Sequence, residues 1–195
     1  MKKDVPEARS GDFVLKPENQ KRLLEIARQS IAAQLGGQPP PRVAVADPEL
    51  TTPAAVFVTL TQRGQLRGCI GTTEPRAPLH QAVAELAVEA AVRDPRFPPL
   101  TMAELPGTHI EISVLSPLRR VKSAEEIQPH VHGVVVRRGF RSGLFLPQVW
   151  EHFAKKEDFL NELCWQKAHL EPGAWKDPAT ELYVFTVFAF EEEKR

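Results

Sequence analysis

Cysteine is scarce in this sequence: Cys69 and Cys164 are the only two in 195 residues. Two thiols far apart in sequence make no disulfide framework, and they suit a reducing compartment, so a cytoplasmic location is expected. They are also too few to ligate an iron–sulfur cluster or to form a radical SAM three-cysteine motif. Net charge is missing as well, with 25 Lys+Arg against 25 Asp+Glu, which leaves no field to draw in nucleic acid or an anionic membrane. No stretch approaches the roughly 20 apolar residues of a membrane helix. The opening MKKDVPEARSGD has no apolar core of the kind a secretion signal needs, so none is expected. There is no Gly-rich phosphate loop, CxxC pair or GxSxG elbow. His130 and His132 are spaced i, i+2 in a stretch read as extended, and with no third ligand nearby they make a weak metal signal. No metal or cofactor is expected. Proline, by contrast, is abundant at 18 and interleaved with apolar runs, a pattern of turns and helix starts rather than of disorder.

The apolar fraction of 42% and charged fraction of 26% are those of an ordinary globular chain. Residues 1–13 are polar and aperiodic, a tail. Pro17 then opens a helix whose Leu23, Ile26, Ala27, Ser30, Ile31 and Leu35 share a stripe, with Gly36-Gly37 as its stop. Residues 54–61 (AAVFVTLT) read as a buried strand, and Gln62-Arg63-Gly64-Gln65 as a hairpin turn into residues 66–71. Pro78 opens a second, alanine-rich helix to Val92, and the prolines of residues 94–99 (DPRFPP) forbid helix there. Residues 109–113 alternate, with Ile110 and Ile112 facing in and His109 and Glu111 facing out. Ser123 to Glu126 has capping-box spacing. Strands are expected at 133–138 and 143–146 around a turn at 138–142, helices at 148–156 and 158–168, and one last strand at 181–190. Strands cluster without βαβ alternation, so the fold class is α+β with a mainly antiparallel sheet and flanking helices.

The most unusual stretch is Leu66-Arg67-Gly68-Cys69-Ile70-Gly71. Strands avoid glycine, so Gly68 and Gly71 imply that something approaches the backbone. Alternation puts Arg67 and Cys69 on one face, roughly 7 Å apart along the strand, where a guanidinium favours a thiolate. Cys69 is therefore a candidate nucleophile beside open N–H groups of Gly68 and Gly71; the alternative is a small packed hydrophobe. Glu111, with His109, is a candidate acid–base group or part of a solvated face. Arg93, Asp94 and Arg96 either hold an anionic ligand or form a bridge that fixes their loop. Cys164, at helical spacing from Leu160 and Ala168, reads as packed core. Arg137, Arg138 and Arg141 mark a basic hairpin tip, more suited to solvent than to nucleic acid.

LRGCIGT at 66–72, AAVRDPRFPPLT at 90–101, ISVLSP at 112–117, GLFLPQVW at 143–150 and the Cys164…Lys167-Ala168 segment resemble the AMMECR1 domain family, including its bacterial members. The resemblance spans residues 14–190 and implies one α+β domain over 14–191, followed by a charged tail at 192–195. It implies a larger and a smaller lobe with a cleft near the cysteine segment, into which Gln148 would aim its amide. Bacterial relatives are typically encoded beside a Memo-like protein and a radical SAM enzyme, which are therefore the partners it suggests. Where the family usually has Lys-Ala-Gly, this chain has Lys167-Ala168-His169, a side chain at a helix end that Gly would close in the left-handed conformation. The resemblance carries no established activity. Two functions stay open: an enzyme or modifying subunit using Cys69, Arg67 and Glu111 on a small molecule or a partner's modified residue, with Gly68, Gly71, Arg96 and Gln148 lining the site, or a non-catalytic adaptor.

Overall fold

Proline does start the first helix. Pro17 is the first residue of α1 (Pro17–Leu35) in the computed structural model, which describes residues 14–41 and 44–193. Its missing N–H is one that the first helical turn leaves unbonded in any case. Leu23, Ile26, Ala27 and Ile31 are buried along one stripe, and Gly36 closes the helix by donating its N–H to the Ala32 carbonyl. A single turn, α2 (Pro48–Thr51), is capped by the Asp47 carboxylate, which accepts from the Glu49 N–H at 2.9 Å.

The strands form two antiparallel sheets, so the chain is α+β. It divides into two compact units. The first runs to Leu115 and resumes at Phe188, and the second is Ser116–Val187.

In the first unit the sheet order is β2-β1-β3-β8, from β1 (Val56–Gln62), β2 (Gln65–Thr72), β3 (Thr108–Leu115) and β8 (Val187–Glu191). The β1–β2 hairpin turns at Arg63 and Gly64, whose φ values of 50° and 75° match the right-handed twist of the strands. Val56, Val58 and Leu60 alternate inward with Ile110, Ile112 and Val114. They pack with Leu23 and Ile31 of α1 and with Val83 and Ala87 of α3 (Leu79–Val92). Each fully buried Val, Leu or Ile contributes roughly 1.5–3 kcal/mol. The alanines of α3 let it press against β2: the Ala90 carbonyl oxygen lies 2.1 Å from where a Cβ on Gly68 would stand.

In the second unit the order is β4-β7-β5-β6, from β4 (Arg119–Val121), β5 (Gly133–Arg138), β6 (Arg141–Phe145) and β7 (Glu181–Phe185). Its core centres on Trp150 stacked on Phe159 at 3.5 Å between ring centroids. Ser123 caps the predicted short turn at Ala124–Glu126, accepting from the Glu125 N–H.

Four expectations change here. The helix expected at 148–156 is a 3-10 segment, Pro147–His152. Trp150 is buried there and donates its indole N–H to the His132 carbonyl at 2.7 Å, a tertiary demand that no local pattern reveals. The helix expected at 158–168 is α4 (Lys156–Glu162) followed by a π turn, Leu163–Lys167. The hairpin tip is tighter than expected, with Arg138 pairing directly to Arg141. The last strand is two strands in different sheets, parted at Thr186. Ser116 takes both backbone groups of Thr186 out of the ladder, its hydroxyl accepting from the N–H and its own N–H donating to the carbonyl, each at 2.9 Å.

Candidate functional site

The register of the first sheet decides what surrounds Cys69. Thr59 of β1 pairs with Cys69 on one side and with Glu111 on the other, so the three form one row across β2, β1 and β3. The row lies on the face opposite the core, because Val58, Ile70 and Ile112, one position along each strand, point inward. All three residues of the row are half-buried, as are their neighbours Thr61, His109 and Ser113. Cys69 and Glu111 are two strand spacings apart, roughly 10 Å between backbones, with the Thr59 side chain between them. The Thr59 hydroxyl donates toward the Cys69 sulfur at 3.4 Å.

Backbone geometry explains that closeness. The Cys69 N–H donates to the Asp94 carboxylate at 2.9 Å, and its carbonyl accepts from the Arg96 guanidinium at 3.1 Å. Both groups therefore point to the free edge of β2, away from β1. A pair that exchanges no backbone bonds in an antiparallel ladder brings its side chains closer together. The Asp94-Pro95-Arg96 turn thus occupies the place of a neighbouring strand at Cys69. Asp94 is buried, bonded to Arg96 at 2.7 and 2.9 Å. The Arg96 guanidinium, and behind it the Cys69 and Arg96 backbone N–H groups, hold the Asp94 carboxyl well below the usual carboxylate range. Arg96 is in turn favoured in its charged form, first by Asp94 and to a smaller degree by the Cys69 sulfur. Of the two readings of this stretch, the bridge that fixes the loop is the arrangement seen. Arg93 makes a surface pair with Glu89.

The expected partnership of Arg67 with Cys69 is replaced. A β-bulge between Leu60 and Thr61 leaves Arg67 without an opposite residue, which breaks the simple alternation. Its guanidinium pairs with Glu104 at 3.2 Å and donates to the carbonyls of Pro98 and Pro99. The Thr101 N–H and hydroxyl, and then Arg67, push the Glu104 carboxyl down to about 2. Arg96 is the guanidinium at Cys69, although the sequence offers it as an anion holder, a bridge to Asp94 or a lining residue and not as the partner of the thiol. Gly68 is buried under α3 rather than open, whereas Gly71 is half-buried with the Phe57 ring where its Cβ would be.

The remaining candidates have surroundings of their own. Gln148 is exposed on the 3-10 segment of the second unit. His109 pairs with Glu191 at 3.0 Å. His130 lies in a turn, not in extended chain, and His132 follows that turn just before β5. His130 has φ of 64°, and the His132 imidazole accepts from the Gln128 N–H. Among the described residues no group of three His, Cys, Asp or Glu suits a metal ion. Cys164 is fully buried, and burial pushes its thiol up. His169 does adopt the left-handed conformation, φ 54°, and its carbonyl accepts from Arg141. Arg138 pairs with Asp177, and Arg137 lies over the Tyr183 ring.

Missed by sequence reading was Glu192, placed at the start of a charged tail. Arg28 of α1 grips it with two bonds of 2.5 and 2.6 Å, and its carboxylate also accepts the Ile110 N–H. Only an unbroken final strand in the sequence hinted at order there.

A family model described as AMMECR1 matches residues 24–190. A Thermococcus gammatolerans protein is 43% identical over 161 residues, covering 75% of this chain and 76% of its own. One from Methanopyrus kandleri is 39% identical over 191 residues, covering 88% and 87%. The crystal structure of an uncharacterized Pyrococcus horikoshii protein superposes with a TM-score of 0.75 at 38% identity, over 93% of this chain and 95% of that one.

Proposed function

The chain belongs to the AMMECR1 family, and we propose that it works as an enzyme or modifying subunit whose nucleophile is the Cys69 sulfur. The observation that carries this reading is the row Cys69–Thr59–Glu111 on a half-exposed sheet face, with the Thr59 hydroxyl 3.4 Å from the sulfur. The hydroxyl orients the sulfur on the open face of the sheet, where an incoming carbon can reach it. A small molecule or a partner's modified residue lying along the row meets the sulfur at one end and a carboxylate at the other. Attack forms a sulfur–carbon bond while the departing group leaves with the electron pair of the bond that breaks. The thiol gives its proton to solvent at this half-exposed face and the departing group takes one back from solvent, so protons balance, while Glu111 faces the far end of the bound molecule. The Asp94–Arg96 bridge positions the sulfur by fixing the Cys69 backbone, and Arg67 positions the bulge.

Iodoacetamide labelling of the native protein tests the first requirement. Cys69 is expected to label with Cys164 protected until unfolding, and Thr59→Val is expected to slow Cys69 labelling several-fold. Labelling of Cys69 no faster than a free model thiol, and unchanged by Thr59→Val, overturns the reading.

A second reading, a non-catalytic adaptor for a Memo-like or radical SAM partner, is favoured by one observation. Arg67 and Gly68 are spent on architecture, on Glu104 and Ala90, which leaves fewer groups for chemistry. Co-purification with such a partner that survives Cys69→Ser with partner function intact supports the adaptor against the enzyme.

A further inference from the structure

The same register that turns the Cys69 backbone to the free edge of β2 does so again two residues later, at Gly71. Gly71 pairs with Phe57 as Cys69 pairs with Thr59, so its N–H and carbonyl also point away from β1. At Cys69 the outward groups are taken by Asp94 and Arg96; at Gly71 no partner occupies them among the described residues. An open strand edge is a template for pairing with another extended chain. This one opens into a groove of about 450 Å³, between the end of β2 with its following loop on one side and α3 on the other. Ala82 and Leu86 supply a small apolar wall, and a strand added at this edge would run about 4.8 Å from β2.

Charge selects the occupant. Glu85 and Glu89 line the α3 side. Glu85 has no ion pair among the described residues, and the Glu89–Arg93 pair is a long 3.4 Å surface contact. Glu74 and Arg76, on the loop side, satisfy each other at 2.7 Å. The groove thus keeps an excess of negative charge beside an unpaired backbone donor and acceptor.

We infer that this groove docks an extended peptide segment bearing a basic side chain, one residue of which exchanges backbone hydrogen bonds with Gly71 while Lys or Arg reaches Glu85 and Glu89. Backbone pairing supplies the register and the carboxylates supply the selectivity, as in strand addition between a sheet edge and a helix. The inference is independent of chemistry at Cys69, since neither wall contains the sulfur.

The test is an NMR titration of the full-length ¹⁵N-labelled protein with acetyl-Val-Arg-Val-Arg-amide. Shifts are expected at the amides of residues 71–74 and 82–89. Glu85→Lys, an exposed helix position, is expected to weaken binding by about fivefold or more. A peptide N-methylated at its central residues is expected to lose binding, because it cannot pair. Absence of shifts at millimolar peptide, shifts confined to other surfaces, equal binding of acetyl-Val-Glu-Val-Glu-amide, or undiminished binding of the N-methylated peptide would each overturn the proposal.

Discussion

Gly68 has no room for a side chain, because a Cβ there would stand 2.1 Å from the Ala90 carbonyl oxygen and 3.1 Å from its carbon. Both are backbone atoms of a helix, which cannot swing aside as a side chain would. Gly68→Ala is therefore expected to lose about 1–3 kcal/mol or more through overpacking, which calorimetry would read as a drop of about 2–4 °C per kcal/mol in a chain of this size. Gly107→Ala is the control: nothing lies within 4 Å of its Cβ position, and Tm should barely move. The sequence already showed that something must come close at residue 68. It did not show that the something is α3 rather than a ligand, since a glycine records only the missing side chain.

Among the elements, β2 is the one whose condition decides the site. It is an edge strand whose outward backbone is covered, among the described residues, at Cys69, where Asp94 and Arg96 take the N–H and carbonyl. Asp94→Ala removes that acceptor and the anchor of Arg96. A loss of about 1–3 kcal/mol is expected, and the Cys69 amide should exchange with deuterium much faster than that of Ile70, whose N–H bonds to β1. Arg93→Ala, which breaks only a surface pair, should change stability by less than about 0.5 kcal/mol. Equal effects of the two substitutions would show that the bridge does not hold the strand. The Asp-Pro-Arg turn is visible in sequence as a helix terminator. Its partner on another strand is not, because the contact joins residues 25 positions apart through a backbone atom that any residue would offer.

Over the whole molecule, balanced charge directs attention from net field to individual carboxylates. Asp94, Glu104, Glu126 and Asp47 are all lowered, each chiefly by hydrogen bonds, from Arg96, Thr101, Lys122 and Glu49 respectively. A carboxyl lowered in the folded state is protonated first in the unfolded chain, so stability is fully present above the ordinary carboxylate value and declines as pH falls. For Glu104 the decline runs from about 4.5 down to about 2. Urea unfolding is expected to show a flat midpoint near neutrality and a steep loss below about pH 4.5. In Asp94→Asn the neutral midpoint should be lower and the acid decline shallower, because one contributor has been removed at every pH. An unchanged acid slope would remove Asp94 from the account.

What the sequence determined by itself was what local geometry dictates. Pro17 and Pro78 set the helix starts, Arg63-Gly64 set the hairpin, and the alternation at residues 109–113 separated the core from the face that carries Glu111. It also carried the family, through motifs spread over the chain. The tertiary structure alone decided the rest. A bulge opposite Leu60 and Thr61 moved Arg67 onto Glu104; a turn distant in sequence brought Arg96 to Cys69; Ser116 split the final strand at Thr186; and strand order placed Thr59 between Cys69 and Glu111. Periodicity reports which face of a strand is buried, since burial acts on each residue in turn. It is silent on which strands are neighbours and where a ladder slips, because those depend on pairs of segments far apart along the chain.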